Sequence, residues 1–358
     1  MKNKIKFLAM FLCVITLFSL FAAGCSFSST KKIGVSMPSK NLQRWNQDGE
    51  NIKIQLQAKG YEVNLQFSND DIGEQIEQID SMIEDGCKVL VIAAIDGPAL
   101  KDVLKKAADK KIKIISYDRL ILDIPDIDYY VTFNNFDVGV LQGEYIEKAL
   151  DLKNGAGPFN IEIFAGSPND NNAIFYYNGA MSVLQPYIDS GKLVVRSGEK
   201  DYDTTAILNW VSESAQQRMS KLLNAHYSGG TKLHAILSPN DSLAIGIIWA
   251  LRAVGYGKDG KDFPILTGQD CDKENVTAML NGEQSMSVFK DTRTLAARTV
   301  EMIDDIIVRK TADTNDSKTY HNGVKIVPTY ICTPISTDKE NYRQVLIHSG
   351  YYKESDFQ

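Results

Sequence analysis

The chain has 358 residues, 44% of them hydrophobic, with 39 Lys and Arg against 45 Asp and Glu for a formal net charge of -6. That length is ample for two domains with sizeable cores. The acid excess argues against nucleic-acid binding, which wants a basic footprint.

Lys2, Lys4 and Lys6 precede an apolar run from Phe7 to Phe21, and Ala22-Ala23-Gly24-Cys25 follows. A basic, apolar and small-residue series of this kind reads as an export signal over residues 1–24, with Cys25 placed for lipid attachment. A retained membrane span would need about 20 apolar residues, more than this run supplies. Residues 25–31 are then a tether, and two acyl chains on Cys25 would hold the body stably at the outer face of the cell membrane. Loss of residues 1–24 removes three of the 39 basic residues and no acid, leaving 36 against 45. Of the five cysteines, Cys13 leaves with the signal, and Cys87 reads as a small buried hydrophobe at a helix end. Cys87, Cys271 and Cys332 show neither a disulfide framework nor a metal pattern, although a single bridge among them stays open.

From Lys32 onward one phrase repeats, a short β-branched run followed by an amphipathic stretch. Ile33 to Met37 leads to a helix at Trp45 to Gln57, Tyr61 to Phe67 to a helix at Asp71 to Asp85, and Lys88 to Ala93 to a helix at Gly97 to Lys110, with Ile112 to Tyr117 next. Runs without polar alternation mark parallel strands covered on both faces. The phrase restarts after Val138 with a helix to Leu150. Strands follow at Asn160 to Phe164, Lys192 to Arg196, Leu233 to Ser238 and Pro264 to Thr267. Helices lie between them at Asn172 to Ile188, Thr205 to Ala225 and Asp241 to Ala253. The expected architecture is α/β, two doubly wound parallel-sheet domains in tandem. The runs Ser285 to Phe289 and Lys325 to Tyr330, with a helix at Thr294 to Ile307 between them, read as late crossings that complete the two domains. The lobes are then 32–135 plus 291–329 and 136–290 plus 330–358, joined by a three-strand hinge.

Ligands of open α/β sheets bind beyond the carboxyl ends of strands. Those ends carry Lys40, Arg44 and Trp45, then Asp118 and Arg119, then Asp170 and Asn172, and later Asn240, Asp270 and Lys290. A hydroxyl both donates and accepts, so adjacent hydroxyls are held well by carboxylates, planar amides and guanidinium forks. An indole such as Trp45 covers the partly apolar face of a pyranose ring, and Trp210 is a candidate for the opposite face. Taken singly, these residues have plainer readings. Asp170 and Asp241 precede helices as N-caps would, Asn134 and Asn135 suit a turn, and Trp45 suits a core. Their convergence on one cleft is what points to polyol recognition.

Other signals are weaker. The string from Gly255 to Gly260 has dinucleotide-binding spacing but follows a helix and precedes a strand, the reverse of what phosphate binding at a helix N-terminus needs, so no cofactor is expected. His226, His234, His321 and His348 form no metal pattern and no catalytic grouping. Asp123, Asp126 and Asp128 lack the glycine and glutamate of a calcium loop. Asp118 and Asp270 could do acid/base work on a glycosidic bond, but neighbouring Arg119 and Lys290 would keep both ionised, so binding is preferred to hydrolysis.

Several stretches carry a family likeness. They include Met37-Pro38 with Lys40 and Arg44-Trp45, Ser116-Tyr117-Asp118-Arg119-Leu120, the run from Gly166 to Ala173, Ser238-Pro239-Asn240-Asp241, Gly268-Gln269-Asp270 and Phe289-Lys290-Asp291-Thr292. On these the chain resembles the periplasmic sugar-binding proteins of type I fold, most closely the subgroup of the multiple-sugar receptor ChvE and the xylose-binding proteins. The resemblance implies sugar contacts from Lys40, Arg44, Trp45, Asp118 and Arg119 on one lobe. From the other lobe and the hinge it implies Asp170, Asn172, Asn240, Asp270 and Lys290, with Trp210 beside them. It also implies a monosaccharide ligand, delivery to an ABC permease with a cytoplasmic ATPase, and in some relatives engagement of a sensor kinase. The body is expected to be monomeric. A lipid-attachment cysteine departs from the free periplasmic pattern, and the Lys40 and Arg44 pair leaves neutral aldose and uronate both open.

Overall fold

The computed structural model describes residues 31–258 and 260–357; the expected export signal, Cys25 and the tether as far as residue 30 lie outside the described residues. In chain order the elements are β1 (Lys32–Met37), α1 (Gln43–Ala58), β2 (Glu62–Phe67), α2 (Ile72–Glu84), β3 (Val89–Ile92), α3 (Lys101–Asp109), β4 (Lys113–Tyr117) and β5 (Tyr129–Phe133). They continue with α4 (Asn135–Ala149), β6 (Phe159–Ile163), α5 (Asn171–Asp189), β7 (Leu193–Val195), the single turn α6 (Tyr202–Thr205), α7 (Ser212–Leu222), β8 (Ala235–Leu237) and α8 (Asp241–Ala253). The last are β9 (Ile265–Leu266), α9 (Lys273–Leu280), β10 (Met286–Phe289), α10 (Thr292–Ile307), β11 (Thr329–Cys332) and β12 (Ile335–Asp338).

The first lobe is a six-stranded parallel sheet in the order β11-β5-β4-β3-β1-β2. Its central strands are apolar on both faces because both faces are covered. Val35, Val89 and Val91 pack against Ile52 and Leu56 of α1 and Leu295 and Ile303 of α10, while Leu90, Ile92 and Ile114 pack against Ile79 and Met82 of α2 and Leu104 of α3. The second lobe is a parallel sheet in the order β7-β6-β8-β9, and a parallel bridge between Gln269 and Val288 carries it on to β10, which pairs antiparallel with β12. Its faces are covered by α7 and α8, through Met219, Ile247 and Leu251, and by α4 and α5, through Ile146 and Leu184. The architecture is therefore the expected one, two doubly wound α/β lobes. The chain passes between the sheets three times, after Phe133, after Phe289 and after Cys332.

Local differences from the sequence reading have local causes. Strand β5, helix α9 and strand β12 have no counterpart among the predicted elements. The strand expected at Lys325 to Tyr330 runs instead as Thr329–Cys332, because Pro328 has no N–H for the ladder and His321 bridges back to Ile326. The helix expected from Thr205 is broken: Asn209 and Trp210 take φ of 55° and 57°, so α7 begins only at Ser212. Asn134 is a helix cap rather than a turn former, its side chain accepting from Asp137 N at the start of α4. Cys87, Cys271 and Cys332 are buried and free.

Candidate functional site

Strand ends of the two sheets meet at a narrow cavity of about 40 Å³. Arg44 organises it from the first turn of α1. Its Nε lies 2.5 Å from Asp48 Oδ2, one helical turn on, its Nη2 2.7 Å from Asp118 Oδ1, and its Nη1 3.1 Å from Asp270 Oδ1 in the other lobe. The guanidinium also lies over Trp45 and Phe133. One buried cation thus holds three carboxylates in fixed directions, the fork geometry that lysine lacks. Tyr117 donates to the second oxygen of Asp48, and Lys290 Nζ stands 2.9 Å from Asp270 Oδ1.

Three residues of the cavity wall have left-handed backbones: Asp118 at φ 58°, Trp210 at φ 57° and Asp270 at φ 99°. Aspartate tolerates this region, whereas for a bulky residue it is an outlier costing about 1–3 kcal/mol. Surrounding contacts hold Asp118 there, since its carbonyl accepts from Tyr130 Oη at 2.6 Å, Thr132 Oγ1 at 3.1 Å and Asn172 Nδ2 at 2.8 Å. The Trp210 ring sits against bare backbone, and a Cβ on Gly166 would come within 2.1 Å of it.

The helix-cap reading of Asp170 holds together with its place in the cavity, and Asn240, not Asp241, caps the helix after β8. Asp170 accepts from Asn172 N at 2.9 Å and Asn240 from Leu243 N at 3.0 Å, yet both line the cavity. Asp241, read from sequence as a cap, is instead fully buried behind the wall and accepts from Gln284 Nε2 and Ser287 Oγ, each at 2.9 Å. Arg119 stacks on Trp45 with 5.1 Å between guanidinium carbon and ring centroid, donates to Ala94 O at 3.1 Å, and places Nε 3.2 Å from Asp170 Oδ2 across the cleft.

Burial would raise the Asp118 carboxyl, but Arg44, Lys290 and Arg119 outweigh it and hold the group below the ordinary carboxylate range. At Asp48 burial wins over Arg44 and pushes the value up to about 6. Burial and the nearby charge of Asp270 push Asp272 up to about 7 despite Arg44 and Lys290, and burial likewise raises Asp170 against the pull of Arg119.

Of the residues singled out in the sequence, the structure brings Arg44, Trp45, Asp118, Arg119, Asp170, Trp210, Asn240, Asp270 and Lys290 to one cavity. It does not bring Lys40, which is exposed with its ammonium 5.2 Å over the Phe67 ring. Asn172 lies behind the wall, where its amide is taken up by the Asp118 carbonyl and its oxygen accepts from Asn135 Nδ2 at 2.8 Å. Sequence reasoning missed Leu42, Tyr176, Ser242 and Asp272 on the wall, and named Gln269 only as part of a strand end. Tyr176 stands one helical turn past Asn172, and Asp272 is the N-cap position of the unexpected helix α9, so a capping signal was there to be read.

Comparison with known proteins bears on the fold and the family. The family model described as periplasmic binding protein domain matches residues 33–311. The chain is 52% identical over 335 residues to the multiple sugar-binding periplasmic receptor ChvE of Rhizobium radiobacter, covering 94% of each. It is 34% identical over 353 residues to the D-xylose-binding periplasmic protein of Escherichia coli K12, covering 99% of each. Among solved structures, it is similar to an ABC transporter solute-binding protein from Clostridium phytofermentans with bound β-D-glucose, at 51% identity and a TM-score of 0.88, covering 92% of this chain and all of the other. Fold and sequence agree, and the chain belongs to the periplasmic binding protein family, among the receptors for sugars.

Proposed function

We propose that this protein is an extracytoplasmic solute-binding lipoprotein of an ABC transporter, which captures aldopyranose monosaccharides such as glucose, galactose, arabinose or xylose between its lobes. The observation that carries the reading is the convergence of Arg44, Asp118 and Arg119 from one lobe with Asp170, Asn240, Asp270 and Lys290 from the other on one cavity. The names of the sugar-receptor relatives and the glucose-bound neighbour support the ligand class. Lipid on Cys25 would keep the receptor at the outer face of the cell membrane.

In this mechanism a sugar docks on one lobe, and rotation about the three crossings brings up the other lobe's partners. The moving units would be residues 32–135 plus 291–329 and residues 136–290 plus 330–358, except that Tyr330, Ile331 and Cys332 stay with the first sheet, where β11 pairs with β5. Closure excludes water and strengthens each charged-to-hydroxyl bond, and the ligand shifts a two-state population. A membrane permease with its cytoplasmic ATPase would read the closed form; a sensor kinase as a second reader rests on family likeness alone. Roughly eight net bonds at ~1 kcal/mol each give about -8 kcal/mol, which is micromolar binding.

A glycoside-processing enzyme is the rival, favoured by one observation: Asp272, pushed up to about 7, shares the cavity with the ionised Asp118, as an acid and a base would. Calorimetry with glucose, galactose, arabinose, xylose, fucose and galacturonate, together with mass spectrometry of sugar released from the purified protein, tests the receptor reading. Stoichiometric binding without turnover supports it. Cleavage of labelled disaccharides that depends on Asp118, Asp270 or Asp272 would replace it with the enzyme, and no binding of any aldose would end it.

A further inference from the structure

Arg119 and Asp170 belong to two cavities at once. Inside them is the narrow chamber already described; outside is a second, half-open chamber of about 330 Å³ that shares both residues as its inner wall. That volume falls in the range of small-molecule sites, about 300–1,000 Å³.

The outer chamber has the mixed chemistry of a sugar site. Asp96, Asn169 and Asn171 supply acceptors and amides, while Leu120, Ile174 and Tyr202 supply apolar surface. Tyr202 is held in place: its hydroxyl donates to Ser167 O at 3.3 Å, and its ring meets Tyr177 edge-on at 5.6 Å between centroids. A ring fixed in this way is a platform for the C–H face of a pyranose at little entropic cost. At the boundary, Arg119 Nε is buried and within 3.2 Å of Asp170, yet no hydrogen bond of acceptable geometry satisfies it among the described residues. Buried donors are rarely left so without a purpose.

We propose that the outer chamber is a second sugar subsite, so that the receptor also takes disaccharides, with one pyranose in the inner chamber and the next against Tyr202. The linkage would pass the Arg119 and Asp170 boundary, where Arg119 Nε can donate to a linkage or ring oxygen. This rests on the sugar-receptor reading and extends its ligand class from monosaccharides to short glycosides.

The test is calorimetry on the wild type and on Asn169→Trp, which fills the outer chamber from an exposed position outside the inner one. The ligands are the component monosaccharides and cellobiose, maltose, gentiobiose, lactose, melibiose and xylobiose. At least one disaccharide should bind the wild type within about tenfold of its parent sugar. Asn169→Trp should weaken that disaccharide at least tenfold and leave the monosaccharide within about twofold, which also reports that the variant is folded. If monosaccharides bind and every disaccharide is weaker by a thousandfold or more, the subsite is refuted and the receptor reading survives. Equal weakening of both ligands in the variant also refutes it. Absence of binding to any sugar removes the receptor reading itself.

Discussion

Arg44 Nη1 lies 3.1 Å from Asp270 Oδ1, so a cation from the first helix of one lobe is paired with a carboxylate at a strand end of the other. Because the same guanidinium neutralises Asp48 and Asp118, Arg44→Met would leave buried carboxylates without their cation. Breaking such a pair typically costs about 3–5 kcal/mol, so the midpoint of chemical denaturation should fall by a corresponding amount. A midpoint close to wild type would show that the network contributes nothing to the fold.

Asp270 and Arg119 are each expected to hold ligand hydroxyls through charged hydrogen bonds, worth roughly 1.5–3 kcal/mol apiece. Asp270→Ala and Arg119→Ala should each weaken binding of the preferred aldose by about tenfold or more in calorimetry. Unchanged affinity in either variant would remove that residue from the site.

Stability should depend on pH through Asp272. Burial and the charge of Asp270 raise its folded value to about 7, so the native state keeps a proton that the unfolded chain releases. Its contribution is full below the ordinary Asp value near 4 and is lost as pH rises towards about 7. Asp48, raised to about 6, acts in the same sense, whereas Asp118, held low by Arg44, Lys290 and Arg119 against its burial, loses its contribution only as pH falls below the ordinary range. Asp272→Asn should therefore gain on wild type as pH climbs from 5 to 7, by up to about 1 kcal/mol per unit. Denaturation curves that stay parallel over that interval would contradict the assignment.

A methyl group on Gly166 would meet the Trp210 ring at 2.1 Å, far inside contact distance. Gly166→Ala should push the indole into the cavity, lowering aldose affinity several-fold and changing tryptophan fluorescence. Affinity and emission both equal to wild type would mean that Trp210 is no wall of the ligand chamber.

Cys25→Ala should release the protein from membranes into the soluble fraction if lipid is its anchor. Retention of the variant in washed membranes would point to another mode of attachment.

Much of the architecture was legible because runs such as Val89-Leu90-Val91-Ile92 are apolar at every position, which only a strand covered on both faces requires. Tyr129–Phe133 was less visible: it follows the acidic stretch from Asp123 to Asp128, which reads as a solvated turn. The break at Asn209 and Trp210 was hidden for another reason. Neither residue forbids a helix, and contacts from Ser167, whose Oγ accepts from Asn209 N at 3.0 Å, hold the chain out of one.

Sequence alone determined that this is a two-lobed, doubly wound protein and which polar residues stand at strand ends, since the period of apolar residues reports burial and strand direction together. Only the tertiary structure decided which of those residues meet. Arg44 and Asp270 are 226 positions apart and are joined by a chain that crosses between sheets, so no local pattern could pair them. By the same token Asn172, on the first turn of α5, turns away from the cavity to support the Asp118 carbonyl, and Lys40 stays in solvent. Where a side chain points depends on the partner opposite it, and that partner is supplied by the fold.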